Sequence, residues 1–405
     1  MTRGALVASA LVTPESLPPA RGAASPRVVE HAGVAWDDDG TLVFVGDAAD
    51  LPWPATHGSP DEGCILPGFV DCHTHLPFVG WRADEFEARL SGVSYRELHG
   101  EGGIYRSARM LAEANDDEVL AFSRSLVQEM AEHGTTALEL KTGYGLSVEA
   151  ELRQARLARR LAQEAPQTCS VTLLACHAVP EGMQRADWVR TVCDELIPAA
   201  ANQGLVDAVD VYVEDIAFTV DDLAEVARSA SEAGLPLHCH ADQLGPSGAA
   251  EAAVALGARS ADHLNHVSAT GIAALGGAPG TVAVLLPTST LFLGSSPPDA
   301  RGLLDAGAAV AIASDFNPGT SPVVSMPEVI ATACSLYGLR PLEALAAATV
   351  NAAAALGLAD RGNLAPGRPA DLVVLDGDAF RMVPYRPGHN PVVRTFVDGE
   401  RVGGR

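Results

Sequence analysis

The sequence is poor in positive charge and in paired cysteines. Its 405 residues include 27 basic and 51 acidic side chains, which gives a formal net charge of −24. This charge repels nucleic-acid phosphates and anionic lipid headgroups, so we expect no nucleic-acid and no membrane partner. The seven cysteines form no CxxC pair, which argues against a disulfide framework or a thiolate zinc site and favours a reducing, cytoplasmic location.

The composition is that of a globular protein with a large core, since 47% of the residues are apolar and 19% are charged. Residues 5–12 form an apolar run behind a single arginine, as in a weak secretion signal. Because the run is short and ends at Thr13-Pro14, we predict the first β-strand there, with a cleaved leader as the alternative.

The fold class follows from the alternation of short apolar runs with longer helical stretches between residues 65 and 358, which is typical of βα units. Eight parallel strands with helical returns close into a (β/α)8 barrel, so the predicted class is α/β. The segments 1–64 and 359–405 are predicted to pair into one small β-sandwich domain, with two independent tails as the alternative. The eight predicted strands are at 65–71, 137–140, 171–176, 208–213, 235–239, 260–264, 281–286 and 309–313.

Ionisable residues follow the predicted strands at their carboxyl ends, where barrel enzymes carry their chemistry. His73 and His75 are two residues apart and therefore point to the same side of the first strand. His240 directly follows the fifth strand, His263 closes the sixth, and Asp315 follows the eighth. Three imidazoles and a carboxylate around an open position make a catalytic metal site, in which the ion lowers the pKa of bound water towards about 7.

Two further residues stand out in this pattern. His238 faces the same side of its strand as His240 but lies further from the strand end, so we predict that it packs deeper in the barrel. Lys141 is the only lysine of the chain, since every other basic residue is arginine. Either this position requires an ammonium group or one lysine survived by chance.

These motifs resemble the mononuclear branch of the amidohydrolase superfamily and, more closely, its imidazolonepropionase family, over the barrel and both terminal segments. The resemblance implies one zinc or iron ion held by His73, His75, His240 and Asp315, and a homodimer. It also implies hydrolysis of the cyclic amide of the anionic substrate 4-imidazolone-5-propionate to N-formimidoyl-L-glutamate in histidine degradation, with metal-bound hydroxide attacking the ring carbonyl. The motifs are His73-Thr74-His75, Gly80-Trp81-Arg82, Lys141-Thr142-Gly143-Tyr144-Gly145, His177-Ala178-Val179-Pro180, His240-Ala241-Asp242-Gln243, Ala261-Asp262-His263 and Asp315-Phe316-Asn317-Pro318-Gly319-Thr320.

The resemblance also implies roles for single residues. Asp315 is the expected general base, and His263 would stabilise the tetrahedral intermediate. Arg82 offers a planar guanidinium to the substrate's propionate, or else pairs with Glu85 or Asp84 on a solvated helix face. The implied substrate contacts, of which His177 is also a catalytic candidate, are Tyr144, His177, Gln243, Asn317, Gly319 and Thr320.

The chain departs from the family pattern in the loops at 78–80 and 102–103, which flank the substrate end of the pocket. A second hypothesis is a mononuclear deaminase of the same superfamily. In such enzymes a glutamate usually shuttles protons where this chain has Gln243, so Asp242 would have to serve. A third is a metal-binding barrel without turnover, which would have no need of an open coordination position. A carbamylated Lys141 would imply two metals, but the relatives that use such lysines carry them on strand four rather than strand two.

Overall fold

The computed structural model describes residues 3–15, 26–59, 62–94, 97 and 102–405. Residues 1, 2, 16–25, 60 and 61 of the predicted terminal domain lie outside this description. Among the described helices, none combines the length and the apolar character needed to cross a bilayer.

The described strands fall into two sheets. In chain order they are β1 (Gly4–Pro14), β2 (Pro26–Trp36), β3 (Leu42–Asp47), β4 (His57–Gly58), β5 (Cys64–Pro67), β6 (Phe69–Asp71), β7 (Thr135–Lys141), β8 (Thr168–Cys176), β9 (Ala208–Val213), β10 (Leu237–Ala241), β11 (Ser260–His263), β12 (Val282–Leu285), β13 (Ala309–Ile312), β14 (Leu372–Leu375), β15 (Val392–Val397) and β16 (Glu400–Gly403).

Helices connect the barrel strands and flank them. The α-helices are Ala83–Leu90, Gly103–Glu113, Asp116–Glu132, Val148–Glu164, Arg185–Thr191, Ile197–Asn202, Val220–Glu232, Ala249–Ala255, Ala269–Gly277, Pro287–Leu293, Ala300–Asp305, Met326–Tyr337, Pro341–Ala347, Val350–Leu356 and Met382–Tyr385, with a 3-10 turn at Ala48–Asp50 and a π-helical segment at Val192–Leu196.

The first sheet contains β6 to β13 in sequence order, and every neighbouring pair is parallel. Its two ends meet just beyond β6 and β13, where Thr74 and Phe316 form a parallel bridge. Ser314 also donates hydrogen bonds from its backbone N and its Oγ to the two carboxylate oxygens of Asp71, at 3.0 and 2.5 Å. The predicted (β/α)8 fold is confirmed, and its closure brings together the segments that follow β6 and β13, which carry His75 and Asp315.

Each of the eight predicted runs overlaps a barrel strand, but the first run is divided between the two sheets. β5 ends at Pro67 in the terminal sheet, and β6 begins at Phe69 in the barrel. Gly68 lies at this crossing, where a Cβ atom would be only 2.1 Å from the Thr136 Oγ1 atom. Only glycine fits such a close approach. The predicted domain boundaries at 64/65 and 358/359 remain predictions.

The second sheet joins both terminal segments in the order β16-β15-β14-β5-β1-β2-β3, with β4 paired to β1. The pairing of β14 with β5 excludes two independent tails. This single mixed sheet folds over on itself, because Trp36 of β2 packs against Phe396 of β15 with ring centroids 5.6 Å apart. A separate apolar core lies between the facing parts of this sheet and includes Leu6, Val34, Ile65, Leu372 and Phe396.

Candidate active site

Buried imidazoles and one carboxylate converge at the carboxyl ends of the barrel strands. The Nε2 atoms of His75 and His73 lie 3.2 and 3.7 Å from the Oδ1 atom of Asp315. The rings of His73 and His240 are 4.5 Å apart between centroids. Ligand atoms of His73, His75 and Asp315 all lie within 4.8 Å of one another, and so do those of His73, His240 and His263. The structure therefore brings together all four predicted metal ligands.

The hydrogen bonding of these side chains fits a metal ion. The Nε2 atoms of His73 and His240 are buried and have no hydrogen-bond partner among the described residues. A buried polar atom left unsatisfied costs about 1–3 kcal/mol. Coordination would satisfy both atoms, and a set of imidazole nitrogens and a carboxylate oxygen suits zinc or iron. The cluster is therefore a candidate metal site.

Two further carboxylates lie behind the imidazoles. The Oδ2 atom of Asp262 is 2.6 Å from His73 Nδ1, and the Oδ2 atom of Asp210 is 3.0 Å from His240 Nδ1. A carboxylate at Nδ1 fixes the tautomer and the orientation of a histidine that presents Nε2 to a metal. We assigned no role to either aspartate from the sequence. The available signal for Asp210 was an acidic residue inside the apolar run 208–213.

One pocket contains most of the predicted site. His73 and Gly319 are the only predicted site residues that do not line it, because His73 is fully buried and Gly319 packs against Arg82. Ile104 and Tyr212 line the pocket without having been predicted. The alternation along β9 could have identified Tyr212, which follows Asp210 by two residues. The pocket is lined by His75, Arg82, Ile104, Tyr144, His177, Tyr212, His240, Gln243, His263, Asp315, Asn317 and Thr320.

Arg82 is buried at the rim of this pocket, with 4% of its surface exposed. Its Nη1 atom donates a hydrogen bond to Ser107 Oγ at 3.1 Å, and its Nε atom lies 3.4 Å from Glu85 Oε2. Asp84 pairs with a different arginine. Arg82 is therefore beside Glu85, as the alternative of a helix-face ion pair predicts, but this pair is buried rather than solvated. Arg82 also lines the pocket, where it can reach a ligand.

The loop that carries Tyr144 is fixed by the helix Val148–Glu164. Gln154 Oε1 accepts hydrogen bonds from the backbone N atoms of Gly143 and Tyr144, at 3.1 and 3.0 Å. Glu151 accepts three further backbone hydrogen bonds from residues 143, 145 and 146. The His177 ring lies with Nδ1 3.1 Å from Gly143 O. Two pocket side chains from different strands are therefore held by one loop.

Asn317 organises the loop after β13. Its Oδ1 atom accepts hydrogen bonds from the backbone N atoms of Gly319 and Thr320, at 2.9 and 2.8 Å. Its Nδ2 atom donates to Asp315 O at 2.7 Å. The amide therefore connects the candidate metal ligand to the segment that packs on Arg82.

Asp242 faces away from the pocket. Its carboxylate oxygens accept hydrogen bonds from the backbone N atoms of Ser247, Gly248 and Ala250, at 2.7 to 3.2 Å. It thereby fixes the start of the helix Ala249–Ala255. Asp242 is also absent from the pocket lining, which removes the proton shuttle that the deaminase hypothesis needs.

Burial shifts the pKa values of two further titratable groups near the pocket, His263 and Glu214. Burial lowers the pKa of His263 to about 3, so its imidazole is neutral at physiological pH. Burial raises the pKa of Glu214 to about 7, against the effect of the two backbone hydrogen bonds that it accepts. Those bonds come from Gln243 N at 2.5 Å and Leu244 N at 2.9 Å, so Glu214 positions the segment that carries Gln243. His238 lies deeper, with Nδ1 2.8 Å from Ser260 Oγ.

Comparison with known proteins gives the same family as the motifs. The amidohydrolase family model matches residues 64–402. The imidazolonepropionase of Photobacterium profundum is 40% identical over 92% of this chain and 94% of its own length. That of Rubrobacter xylanophilus is 42% identical over 96% of each chain, and that of Cupriavidus taiwanensis is 43% identical over 92% of this chain and 89% of its own length.

Solved structures with the same fold are more distant in sequence. A zinc-bound adenosine deaminase from Xanthomonas campestris superimposes with a TM-score of 0.75 at 20% identity, covering 99% of this chain and 92% of its own. A triazine hydrolase variant gives 0.76 at 16% identity, covering 99% and 95%. At such identities the likeness concerns the fold alone. The sequence relatives are specific, and the chain belongs to the amidohydrolase family and, within it, to the imidazolonepropionases.

Proposed function

We propose that this protein hydrolyses the cyclic amide of 4-imidazolone-5-propionate to N-formimidoyl-L-glutamate. The observation that carries the proposal is one pocket that combines a metal-fitting cluster of imidazoles and a carboxylate with a buried arginine, Arg82, at its rim. The names of the relatives support the same activity. The proposal includes a homodimer that works in the cytoplasm.

His73, His75, His240 and Asp315 would hold one zinc or iron ion. When bound, the ion would lower the pKa of a water molecule and polarise the ring carbonyl. The chain's own groups complete the site, because Arg82 adds positive charge to the pocket lining and His263 adds a neutral imidazole.

Substrate binding is assigned to the residues around the pocket. The Arg82 guanidinium would bind the propionate through two parallel hydrogen bonds, which a planar fork favours. Local positive charge is needed because the protein as a whole carries −24. The residues proposed to contact the ring and its carboxylate end are Tyr144, His177, Gln243, Asn317 and Thr320, together with Gly319, which packs against Arg82 outside the pocket lining.

Proton movement is assigned to Asp315 and His263. Asp315 would take the proton of the attacking water as the new C–O bond forms. His263 would donate a hydrogen bond to the oxygen that gains negative charge. The ring C–N bond then breaks, and Asp315 returns the proton to the departing nitrogen. That nitrogen belongs to an amidine in the product and needs less protonation than a simple amine.

The test is to incubate metal-loaded protein with 4-imidazolone-5-propionate in water enriched in oxygen-18. We expect the imidazolone absorbance to disappear and one heavy oxygen to enter the new carboxylate of the product, as mass spectrometry would detect. Asp315→Asn should abolish this turnover while the protein remains folded. Release of ammonia from an aminated ring, with no loss of imidazolone, would contradict the proposal in favour of a deaminase.

The metal content and the homodimer have separate tests. Elemental analysis of protein purified from its native host should find about one equivalent of zinc or iron, as four protein ligands and an open position imply. Light scattering after size-exclusion chromatography should give twice the chain mass of 41.9 kDa. A monomeric mass would contradict the homodimer alone.

A further inference from the structure

Lys141, the only lysine of the chain, ends β7 and is completely buried. Its Nζ atom donates a hydrogen bond to Asp210 Oδ2 at 2.7 Å and lies 2.8 Å from Glu139 Oε2. Both carboxylates are also fully buried. Every other basic position in this protein holds arginine, so the lysine occupies the place where a compact ammonium between two carboxylates is required.

The lysine is connected to the candidate metal site through one of these carboxylates. The same Oδ2 atom of Asp210 that accepts from Lys141 lies 3.0 Å from His240 Nδ1. Asp210 is on β9 and His240 on the neighbouring β10, while Lys141 reaches them from β7, across β8. A single carboxylate oxygen therefore touches both the buried ammonium and a predicted ligand.

Physical chemistry requires the ammonium in this arrangement. Burial alone would lower the pKa of Lys141, but the charges of Asp210 and Glu139 outweigh it and raise the pKa above its ordinary value. A buried carboxylate without a counter-charge would instead be driven towards its neutral form. A guanidinium is planar and larger than an ammonium, and a fully buried position leaves it no room to reorient.

We propose that Lys141 is a positioning residue, which holds the Asp210 carboxylate in place 3.0 Å from His240 Nδ1 and thereby directs His240 Nε2 to the metal. This inference rests on the metal site of the proposed function. It concerns metal binding, so it can be tested without any substrate.

The test compares the zinc affinity of the wild-type chain with that of Lys141→Met and Asp210→Asn, by competition with a chromogenic chelator. We expect each substitution to weaken zinc binding about 10- to 100-fold, as for other residues that support a metal-bound histidine. Lys141→Arg, which keeps the charge, should not restore the wild-type affinity. The visible spectrum of the cobalt-loaded protein should also change in Asp210→Asn, because the His240 ring would no longer be held in one orientation.

The matched control is Arg361→Met in the terminal sheet. Arg361 is a partly buried cation beside two carboxylates, since it pairs with Asp371 and lies 3.4 Å from Asp398 Oδ1. Its loss should lower stability without changing zinc affinity. Equal affinity losses in Arg361→Met and Lys141→Met would show a general effect of a buried charge and would overturn the inference.

A second measurement remains informative if Lys141→Met does not fold. With one lysine in the chain, lysine labelled with carbon-13 at Cε gives a single side-chain NMR signal. In the wild type this signal should shift when zinc is added, and in Asp210→Asn the shift should be lost. A signal that ignores zinc overturns the inference and leaves the proposed function intact, whereas a wild-type chain that binds no metal overturns both.

Discussion

Gly319→Ala is expected to damage substrate binding through Arg82. A Cβ atom on Gly319 would lie 1.9 Å from Arg82 Nη2 and 2.3 Å from its Nε atom. Non-bonded heavy atoms separate to about 3.5 Å or more, so the guanidinium must move. It is buried and hydrogen-bonded to Ser107, with Glu85 beside it, and moving it breaks the geometry that faces the pocket.

The size of the effect follows from the contact that is lost. A hydrogen bond to a charged group contributes about 1.5–3 kcal/mol. At 1.4 kcal/mol for each factor of ten, losing the hold on the propionate should lower kcat/KM about 10- to 150-fold. Most of the change should appear in KM, because the propionate is remote from the ring carbonyl and is bound equally before and during the reaction.

The assay is steady-state loss of imidazolone absorbance, with Gly277→Ala as the matched control. Gly277 has no atom within 4 Å of a Cβ position, so its replacement should leave both kinetic constants unchanged. In an Arg82→Ala background the group that clashes is gone, and Gly319→Ala should then have no further effect. An equal loss with and without the Arg82 side chain would refute the reasoning.

Three other substitutions test separate parts of the site. Asp262→Asn should weaken zinc binding about 10- to 100-fold by removing the charge behind His73, and an unchanged affinity in chelator competition would contradict that role. Glu214→Gln should make urea unfolding less dependent on pH. Burial raises the pKa of Glu214 from 4.5 to about 7 in the folded protein, so the folded chain binds this proton more tightly and wild-type stability falls, relative to the variant, as the pH rises through that window. A rise would contradict the assignment. Asp242→Asn should lower the free energy of unfolding by about 1 kcal/mol through the weakened helix cap, while loss of one limb of the pH–rate profile would restore Asp242 as a proton shuttle.

The barrel could be predicted because its strands are buried on both faces and therefore appear as short, continuous apolar runs. The division of the first apolar run into β5 and β6, which belong to different sheets, could not be predicted. Residues on both sides of Gly68 are equally apolar, since β5 packs in the terminal sheet and β6 in the barrel. Nothing in the composition of the run distinguishes these two surroundings.

The site was predictable where a residue follows a strand and less so where it supports another residue. His75 and Asp315 follow strands and could be placed at one end of the barrel. The contact of Asp210 with His240 joins two strands, and its register is set by backbone pairing that a single sequence does not display. The hydrogen bond from Tyr144 N to Gln154 Oε1 could not be predicted either, because it depends on how the helix Val148–Glu164 packs against the barrel.

The backbone gives a separate argument for where the site lies. Among the described residues other than glycine, seven have positive φ, and Asp242, His263, Leu264 and Asp315 are four of them, with φ between 52 and 76°. This conformation costs an ordinary L-residue about 1 kcal/mol or more, and such strain concentrates at functional sites. These four residues lie at or just beyond the carboxyl ends of β10, β11 and β13. Glycine would relieve the strain there but would remove the His263 imidazole and the Asp315 carboxylate from the pocket. The strained rim therefore identifies this end of the barrel as the functional one, independently of any metal or relative.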